Sequence, residues 1–258
     1  MSDTCDETTT FSPLDKESTF RFACHKGVPC FTECCAKLSL ILTPYDVVRL
    51  KNRLGISSGE FIDKYTEPKL DEAYRFPVIR LLMNEDGRRS CPFVTPDGCT
   101  VYEDRPAACR IYPLGRATMS LDGPSQAARE KFFLVRESHC RGFEEDREWT
   151  AQEWMSSEGL DEYNTMNDRW LRILTSRKSL GSTEDAGRKL AMFNMASYNL
   201  DQFRTFVLNG PFLQRFEVDN ATREHIASDD TELLLFAFDW LRFALFGEST
   251  IKVKQGGA

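Results

Sequence analysis

A dense run of cysteines limits what this chain can fold into more than any other feature does. Residues 22–35 read FACHKGVPCFTECC, and four further cysteines follow between residues 91 and 140. A single cysteine is by default a small buried side chain, but eight of them beside turn residues indicate a shared chemical role. The ninth, Cys5, stands apart and is left out of the candidate site. The eight are Cys24, Cys30, Cys34, Cys35, Cys91, Cys99, Cys109 and Cys140.

The sequence around these thiols favours a reducing compartment. Residues 1–19 are polar and acidic, and they lack the basic start and apolar run of a secretory signal. The nearest candidate for a membrane span, Leu233 to Phe246, is too short and contains the charged residues Asp239 and Arg242. We therefore expect a cytoplasmic protein with no membrane association. In the cytoplasm a cysteine cluster holds metal more often than it forms disulfides, so all eight cysteines are predicted to be metal ligands.

The spacing of the cysteines bears on which metal they bind. Sites made only of thiolates suit zinc or an iron–sulfur cluster, because both accept four soft ligands in tetrahedral geometry. The sequence has no Cys-x2-Cys knuckle, and its wider gaps favour a cluster, of the 4Fe–4S type, over zinc. The sulfurs of adjacent Cys34 and Cys35 are expected to point apart. They are expected to serve different metal atoms, or one is a ligand and the other supports it. His25 and His139, each beside a cysteine, are expected to support the ligands through hydrogen bonds.

The charge distribution gives a second, weaker indication. The net charge is −7, yet residues 21–116 carry a slight excess of basic side chains. Thiolates around a metal form a negative centre, which nearby basic residues would offset, although chance placement on a solvated surface explains so small an excess equally well. An acidic chain is a poor general binder of nucleic acid. The basic residues near the cysteines are Arg21, Lys26, Arg89, Arg105, Arg110 and Arg116.

Helix-start signals are unusually complete in two parts of the chain. Thr43-Pro44-Tyr45-Asp46 combines a capping hydroxyl, a proline at the first helical position and an acid, and Ser57 with Glu60 forms a capping box. These signals predict a helical hairpin over residues 43–66, with Gly55 ending its first helix. Further starts at Thr150, Ser182 and Asp229 or Asp230 predict a helical C-terminal part. The Ser182 helix is predicted to continue to about Val207.

Strand signals are confined to the cysteine region. The run Pro77 to Met83 predicts a strand that turns back over residues 88–93, and Pro96-Asp97-Gly98 predicts a second turn between Cys91 and Cys99. Such a turn lets backbone N–H groups face cysteine sulfur, which stabilises thiolate. The predicted fold is therefore mainly α, with a cysteine-rich loop and short β-hairpin metal-binding region and an α-helical C-terminal part.

These patterns divide the chain into four parts. We predict a flexible N-terminal segment at residues 1–19 and a cysteine-cluster metal-binding region at 20–142. A helical region packed on it follows at 143–248, and a tail occupies 249–258.

Three stretches of the sequence resemble the YkgJ-type cysteine-cluster family, whose members are described as zinc- or iron-chelating proteins. They are FACHKGVPCFTECC, LTPYDVVRL and CPFVTPDGCTVYEDRPAACRIYPLGR, within residues 20 to 142. The family is named for a C-x-x-C-x-x-C-C motif, and here the gaps before Cys34-Cys35 are longer. The resemblance implies a metal centre built on Cys34, Cys35, Cys91, Cys99 and Cys109. Some relatives resemble flagellin lysine N-methylases, which implies S-adenosylmethionine as a further candidate cofactor.

Three functions follow as hypotheses. The first is an iron–sulfur protein that transfers electrons or senses redox state, with its helical part docking a protein partner. The second is an S-adenosylmethionine-dependent protein lysine N-methyltransferase. The third is a zinc-stabilised protein-interaction module. The sequence contains no phosphate loop, dinucleotide fingerprint or hydrolase motif, so no catalytic or cofactor-binding residue is assigned.

Overall fold

The computed structural model describes residues 9–15, 17–69, 76–119 and 129–254, so Cys5 lies outside the described residues. The strands, in chain order, are β1 (Thr9–Leu14), β2 (Thr19–Arg21), β3 (Ile41–Leu42), β4 (Thr66–Lys69), β5 (Val78–Leu81), β6 (Val94–Thr95), β7 (Gly98–Cys99), β8 (Leu114–Met119), β9 (Arg129–Glu137) and β10 (Glu148–Thr150). The helices are α1 (Pro44–Leu54), α2 (Ser58–Tyr65), α3 (Ala107–Ile111), α4 (Ala151–Ser157), α5 (Leu160–Leu174), α6 (Thr183–Tyr198), α7 (Leu200–Asn209), α8 (Phe212–Arg215), α9 (Asn220–Ser228) and α10 (Asp230–Phe246).

The chain divides into two compact units, each built from two segments. The first unit comprises Met1–Ser39 and Met83–Asn164, and the second comprises Leu40–Leu82 and Thr165–Ala258. All eight clustered cysteines belong to the first unit. Residues 40–82, which the sequence analysis grouped with the cysteines, fall in the second unit with most of the C-terminal helices.

The main sheet of the first unit is antiparallel, with strand order β1-β9-β8. Phe132 and Leu134 of β9 and Leu114 of β8 are buried on one face of this sheet. On the other face the Phe133 ring lies over Gly115, where an added Cβ would come within 1.9 Å of a ring carbon. Strand β1 falls inside the segment predicted to be flexible. The sheet was not predicted, because charged residues begin and end the β9 sequence REKFFLVRE and obscure its alternation.

Two small strand pairs hold cysteine-bearing segments in the first unit. β2 pairs with β10, placing Phe20 opposite Trp149, and Phe22 packs edge-on against Trp154 with ring centroids 5.4 Å apart. β6 and β7 form the predicted hairpin, with Val94 opposite Cys99. Its turn requires Gly98, whose φ of 117° is one that side-chain-bearing residues rarely adopt.

The predicted strand at Pro77 to Met83 is confirmed as β5, but its predicted partner is wrong. β5 lies between β3 and β4 in a three-stranded sheet of the second unit, whereas Ser90 forms an isolated bridge with Ala36. The physical reason is burial: Val78, Ile79 and Leu81 are all buried, so β5 needs ladder partners on both edges. A single return strand would have left one edge unpaired.

The helix starts predicted for the second unit are confirmed by their caps. Thr43 and Asp46 form a reciprocal capping box on α1, and Gly55 ends this helix in the left-handed conformation with φ 66°. Ser57 caps α2, Ser182 caps α6 and Asp229 caps α10. Helix α10 carries the buried apolar face expected of a central helix.

The prediction of one long helix beginning after Ser182 is wrong. The pattern from Ser182 to Val207 is broken at Asn199, whose side chain caps the new helix α7 by accepting from the backbone N–H of Gln202. The apolar spacing continues across the break, and both Phe193 and Phe203 are fully buried. Hydrophobic periodicity alone therefore could not reveal the interruption.

The predicted fold class is confirmed only in part. The cysteine-rich region with its short hairpin and the helical C-terminal part are both present, but small sheets contribute more than the prediction allowed. Among the described residues, no helix has the length and apolar character needed to cross a membrane.

Candidate metal centre

Four of the predicted ligands line one small cavity in the first unit. The thiols of Cys24, Cys30, Cys34 and Cys140 come from two stretches of chain and border a space of about 30 Å³. About 10–15 Å³ on this measure is enough to hold one water molecule, so the cavity has room for a metal ion. The other lining residues are Phe22, Ala23, Val28, Tyr112, His139 and Gly142.

Backbone hydrogen bonds hold the Cys24 segment and the Cys140 segment together. Phe22 N–H donates to the Arg147 carbonyl over 2.9 Å, and Ala23 N–H donates to the Gly142 carbonyl over 3.1 Å. A side chain at Gly142 would not fit, since its Cβ would lie 2.6 Å from the Phe22 ring and 2.7 Å from the Ala23 oxygen. This close approach is what brings thiols more than 100 positions apart to one cavity.

The sulfur of Cys30 accepts a hydrogen bond from the backbone N–H of Arg141 over 3.1 Å. Hydrogen bonds of this kind stabilise thiolate ligands in metal sites. The Cys140 sulfur is similarly approached by the backbone N–H of Gly142, which lowers the pKa of that thiol against the larger, raising effect of burial.

The sulfurs of adjacent Cys34 and Cys35 were expected to point apart. They do not. The backbone forms a 3-10 turn over Glu33–Cys35. It lets the Cys34 and Cys35 thiols share a hydrogen bond, and this bond is the main cause of the raised pKa of Cys34. Cys34 lines the cavity, whereas the Cys35 carbonyl accepts from the Cys91 N–H over 2.8 Å. Whether the two serve different metal atoms stays a prediction.

A second cysteine group lies on the β6–β7 hairpin. Cys91 and Cys99 interact electrostatically, and the backbone N–H groups of Phe93 and Val94 approach the Cys91 sulfur. The Val101 N–H approaches Cys99 in the same way. The predicted turn, with N–H groups facing sulfur, is therefore confirmed. Cys35, Cys91, Cys99 and Cys109 do not line the cavity, and Cys109 is exposed on helix α3.

The pKa values of several thiols are raised. Burial is the main cause for Cys24 and Cys91, each with a pKa of about 11. The neighbouring thiols of Cys34, Cys30 and Cys140 further raise the pKa of Cys24. Burial also raises the pKa values of Cys99 and Cys140. These thiols are therefore protonated at neutral pH, and a bound metal ion would displace their protons.

The donor set fits zinc or iron in its chemistry. All eight thiols are free, four surround an ion-sized cavity, and backbone N–H groups point at several sulfurs. Over the described ranges, no three cysteine, histidine, aspartate or glutamate side chains are already arranged to hold one ion. The present distances between the sulfurs suit neutral thiols. The sulfurs would approach one another more closely around one point only when a cation replaces their protons.

The two histidines differ in their surroundings. His25 is exposed, with Nε2 3.1 Å from a Glu145 carboxylate oxygen and Nδ1 accepting from the Gly27 N–H over 3.1 Å. Both of its nitrogens are thus engaged away from the cysteines. His139 lies in the cavity wall, and its Nε2 is 3.7 Å from a carboxylate oxygen of Glu137.

Sequence reasoning missed the residues that shape the cavity. Phe22, Val28 and Tyr112 line it, and Glu158 forms an ion pair with Arg105 beside the cysteine groups. Only Gly142 carried a local signal, as a glycine two positions after a cysteine. The others are ordinary core or surface residue types whose position depends on contacts distant in sequence.

The arrangement defines a cysteine-cluster domain, in which free thiols from distant loops converge beside turn-borne N–H donors. Residues 23–149 match the CxxCxxCC family, described as "Putative zinc- or iron-chelating domain". This match covers close to half of the chain, and the predicted resemblance to the family is confirmed. No curated protein and no solved structure matches the chain.

Proposed function

We propose that this protein binds zinc or iron through the cavity thiolates of Cys24, Cys30, Cys34 and Cys140. The observation that carries the proposal is their convergence on one space of about 30 Å³. Four sulfur donors are the number that a tetrahedral zinc or iron site uses. The match to a family described as zinc- or iron-chelating supports the same reading.

We propose further that the bound metal is iron in an iron–sulfur centre, which transfers electrons or senses redox state. The number of thiols supports this form, because the cavity group and the Cys91–Cys99 group together exceed what one ion binds. The contact between Cys34 and Cys35 connects the two groups through adjacent residues. A protein partner that exchanges electrons with the centre follows from this role.

A zinc-stabilised module is the second candidate, and the cavity volume favours it. A space of about 30 Å³ accepts a single ion without movement of the cavity wall. Structural zinc sites are closed, four-coordinate and rich in cysteine. In this case metal binding would hold the cysteine-bearing loops of the first unit together without redox chemistry.

One experiment separates these forms. The full chain is purified without oxygen, and zinc, iron and acid-labile sulfide are measured per chain, for the wild type and for Cys34→Ser, Cys140→Ser and the control Cys5→Ser. Iron with sulfide supports the redox centre, and zinc without sulfide supports the module. Both cavity variants should lose metal while Cys5→Ser retains it. A wild-type chain without zinc or iron would refute metal binding altogether.

The methyltransferase hypothesis gains no support from the described residues. A groove of about 570 Å³ lies in the second unit beside α2 and α6, and no aromatic side chain lines it to stack an adenine ring. Calorimetric titration of the metal-loaded chain with S-adenosylmethionine tests that hypothesis directly, and binding would revive it.

A further inference from the structure

The wall of the cysteine cavity contains a hydroxyl group with no hydrogen bond. The side-chain oxygen of Tyr112 is shielded from water, and it has no hydrogen-bond partner of normal geometry among the described residues. A buried hydroxyl in this state costs free energy, because it has given up water without gaining a protein partner. The Tyr112 hydroxyl is therefore available to donate to an acceptor inside the cavity.

The position of the Tyr112 ring is set by its neighbours in the first unit. Tyr112 follows the last residue of α3, and its ring packs edge-on against the Phe22 ring with centroids 5.8 Å apart. The carbonyl of the next residue, Pro113, accepts from the N–H of Val135 in β9 over 2.8 Å. These contacts hold the ring between the segment that carries Cys24 and the sheet that leads to Cys140.

Cys140 is the acceptor that the hydroxyl can reach. Both residues line the same space of about 30 Å³, so little more than the width of a water molecule separates groups on its walls. Burial, and then the hydrogen-bonding approach of Cys140, raise the pKa of Tyr112, so the hydroxyl keeps its proton and can donate it. His139, the other polar side chain of the wall besides the thiols, lies 3.7 Å from the Glu137 carboxylate.

The strength of a hydrogen bond to sulfur depends on the state of the sulfur. A free thiol is a weak acceptor, whereas a thiolate bound to a metal carries negative charge and accepts strongly. The Tyr112 hydroxyl thus has more to gain when Cys140 is a metal ligand than when it is a free thiol. A contact that strengthens on binding adds to the binding free energy.

We propose that Tyr112 is a positioning residue whose hydroxyl donates to the metal-bound sulfur of Cys140 and thereby tightens metal binding. This inference rests on the proposed function. Hydrogen bonds from outside the ligand set orient metal ligands and tune the metal that they hold. Tyr112 would add a side-chain donor to a sulfur that the backbone N–H of Gly142 already approaches.

The test measures the Zn²⁺ affinity of the full chain by competition with a chromophoric chelator. Tyr112→Phe keeps the ring and its contact with Phe22 but removes the hydroxyl, and it should weaken Zn²⁺ binding about tenfold. The zinc-free variant should melt at the temperature of the wild type or above it, because an unpaired buried hydroxyl has been removed.

Tyr198→Phe is the matched control. The hydroxyl of Tyr198 is also buried without a hydrogen bond of normal geometry to the described residues, but Tyr198 belongs to the second unit, away from the cysteines. Tyr198→Phe should therefore leave the Zn²⁺ affinity unchanged.

A spectrum of the Co²⁺-loaded chain tests the contact with sulfur directly. Thiolate ligands give Co²⁺ a charge-transfer band, and a hydrogen bond to the sulfur moves this band to shorter wavelength. Tyr112→Phe should therefore shift the band to longer wavelength, which a change in ring packing alone would not do.

Three results would overturn the inference. They are a wild-type Zn²⁺ affinity in Tyr112→Phe, an equal loss of affinity in both phenylalanine variants, and a zinc-free Tyr112→Phe that melts below the wild type or does not fold. The last result would show that the hydroxyl has a structural partner within the protein. A wild-type chain that binds neither zinc nor iron instead refutes the proposed function, and the inference with it.

Discussion

The backbone N–H of Arg141 donates to the sulfur of Cys30 over 3.1 Å, across 111 positions of sequence. This single contact joins the loop after β2 to the end of the β8–β9 hairpin. It places Cys30 in the same cavity wall as Cys140, the residue directly before Arg141. The candidate metal centre is thus assembled by backbone contacts as much as by the thiols themselves.

Gly142→Ala should damage the cavity. The added Cβ would meet the Phe22 ring at 2.6 Å and the Ala23 carbonyl at 2.7 Å, and the backbone oxygen cannot move aside without shifting Cys24. We expect a loss of about 1–3 kcal/mol in the free energy of unfolding, measured in urea, together with reduced metal content. Gly87→Ala, where nothing lies within 4 Å, is the matched control and should change neither.

The division of the thiols into two groups can be tested one cysteine at a time. Cys140→Ser removes a cavity thiol, and Cys99→Ser removes a hairpin thiol outside the cavity wall. We expect Cys140→Ser to abolish Zn²⁺ binding at the cavity, while Cys99→Ser still binds at least one Zn²⁺ per chain in a chelator competition. Equal losses in both variants would show that all the thiols serve one centre.

The ion pair between Lys51 and Asp230 should be important for the stability of the second unit. Their side chains are 7% and 13% exposed, and the Lys51 ammonium donates to Asp230 over 2.6 Å. Asp230→Ala leaves a buried ammonium unpaired, so we expect a loss of about 3–5 kcal/mol in chemical denaturation. In the exposed pair of Asp185 with Arg188, Arg188→Ala should cost under about 0.5 kcal/mol. Similar effects at both sites would contradict this assignment.

The ion pair of Lys51 with Asp230 also predicts that the protein loses stability in acid. Burial acts to raise the pKa of Asp230, but its hydrogen bonds and charge interactions with Lys51 and Arg204 outweigh burial and lower that pKa below 3.8. A lowered folded-state pKa contributes stability above the unfolded-state value, and this stability is lost as pH falls from 3.8 through the folded pKa. Urea unfolding from pH 7 to pH 3 should therefore show a decline that is shallower in Asp230→Asn. An equally steep decline in this variant would assign the acid sensitivity elsewhere.

Helix boundaries in the second unit were predictable because their causes are local. The Thr43 and Asp46 capping box, the left-handed Gly55 and the Ser182 cap each act within four residues, so the sequence contains the whole interaction. The partners of β5 and the break at Asn199 were not predictable in this way. Strand pairing joins residues far apart in the chain, and the apolar spacing on either side of Asn199 is that of one continuous helix.

By itself the sequence determined the chemistry: eight clustered thiols, a hairpin turn between Cys91 and Cys99, and a match of residues 23–149 to a cysteine-cluster family. Only the tertiary structure decided which thiols share a cavity, and that Phe22 and Tyr112 line it with them. The physical reason is the separation in sequence over which each interaction acts. Residue type and turn geometry act over a few positions, whereas the cavity exists because hydrogen bonds such as Arg141 to Cys30 bring distant segments together.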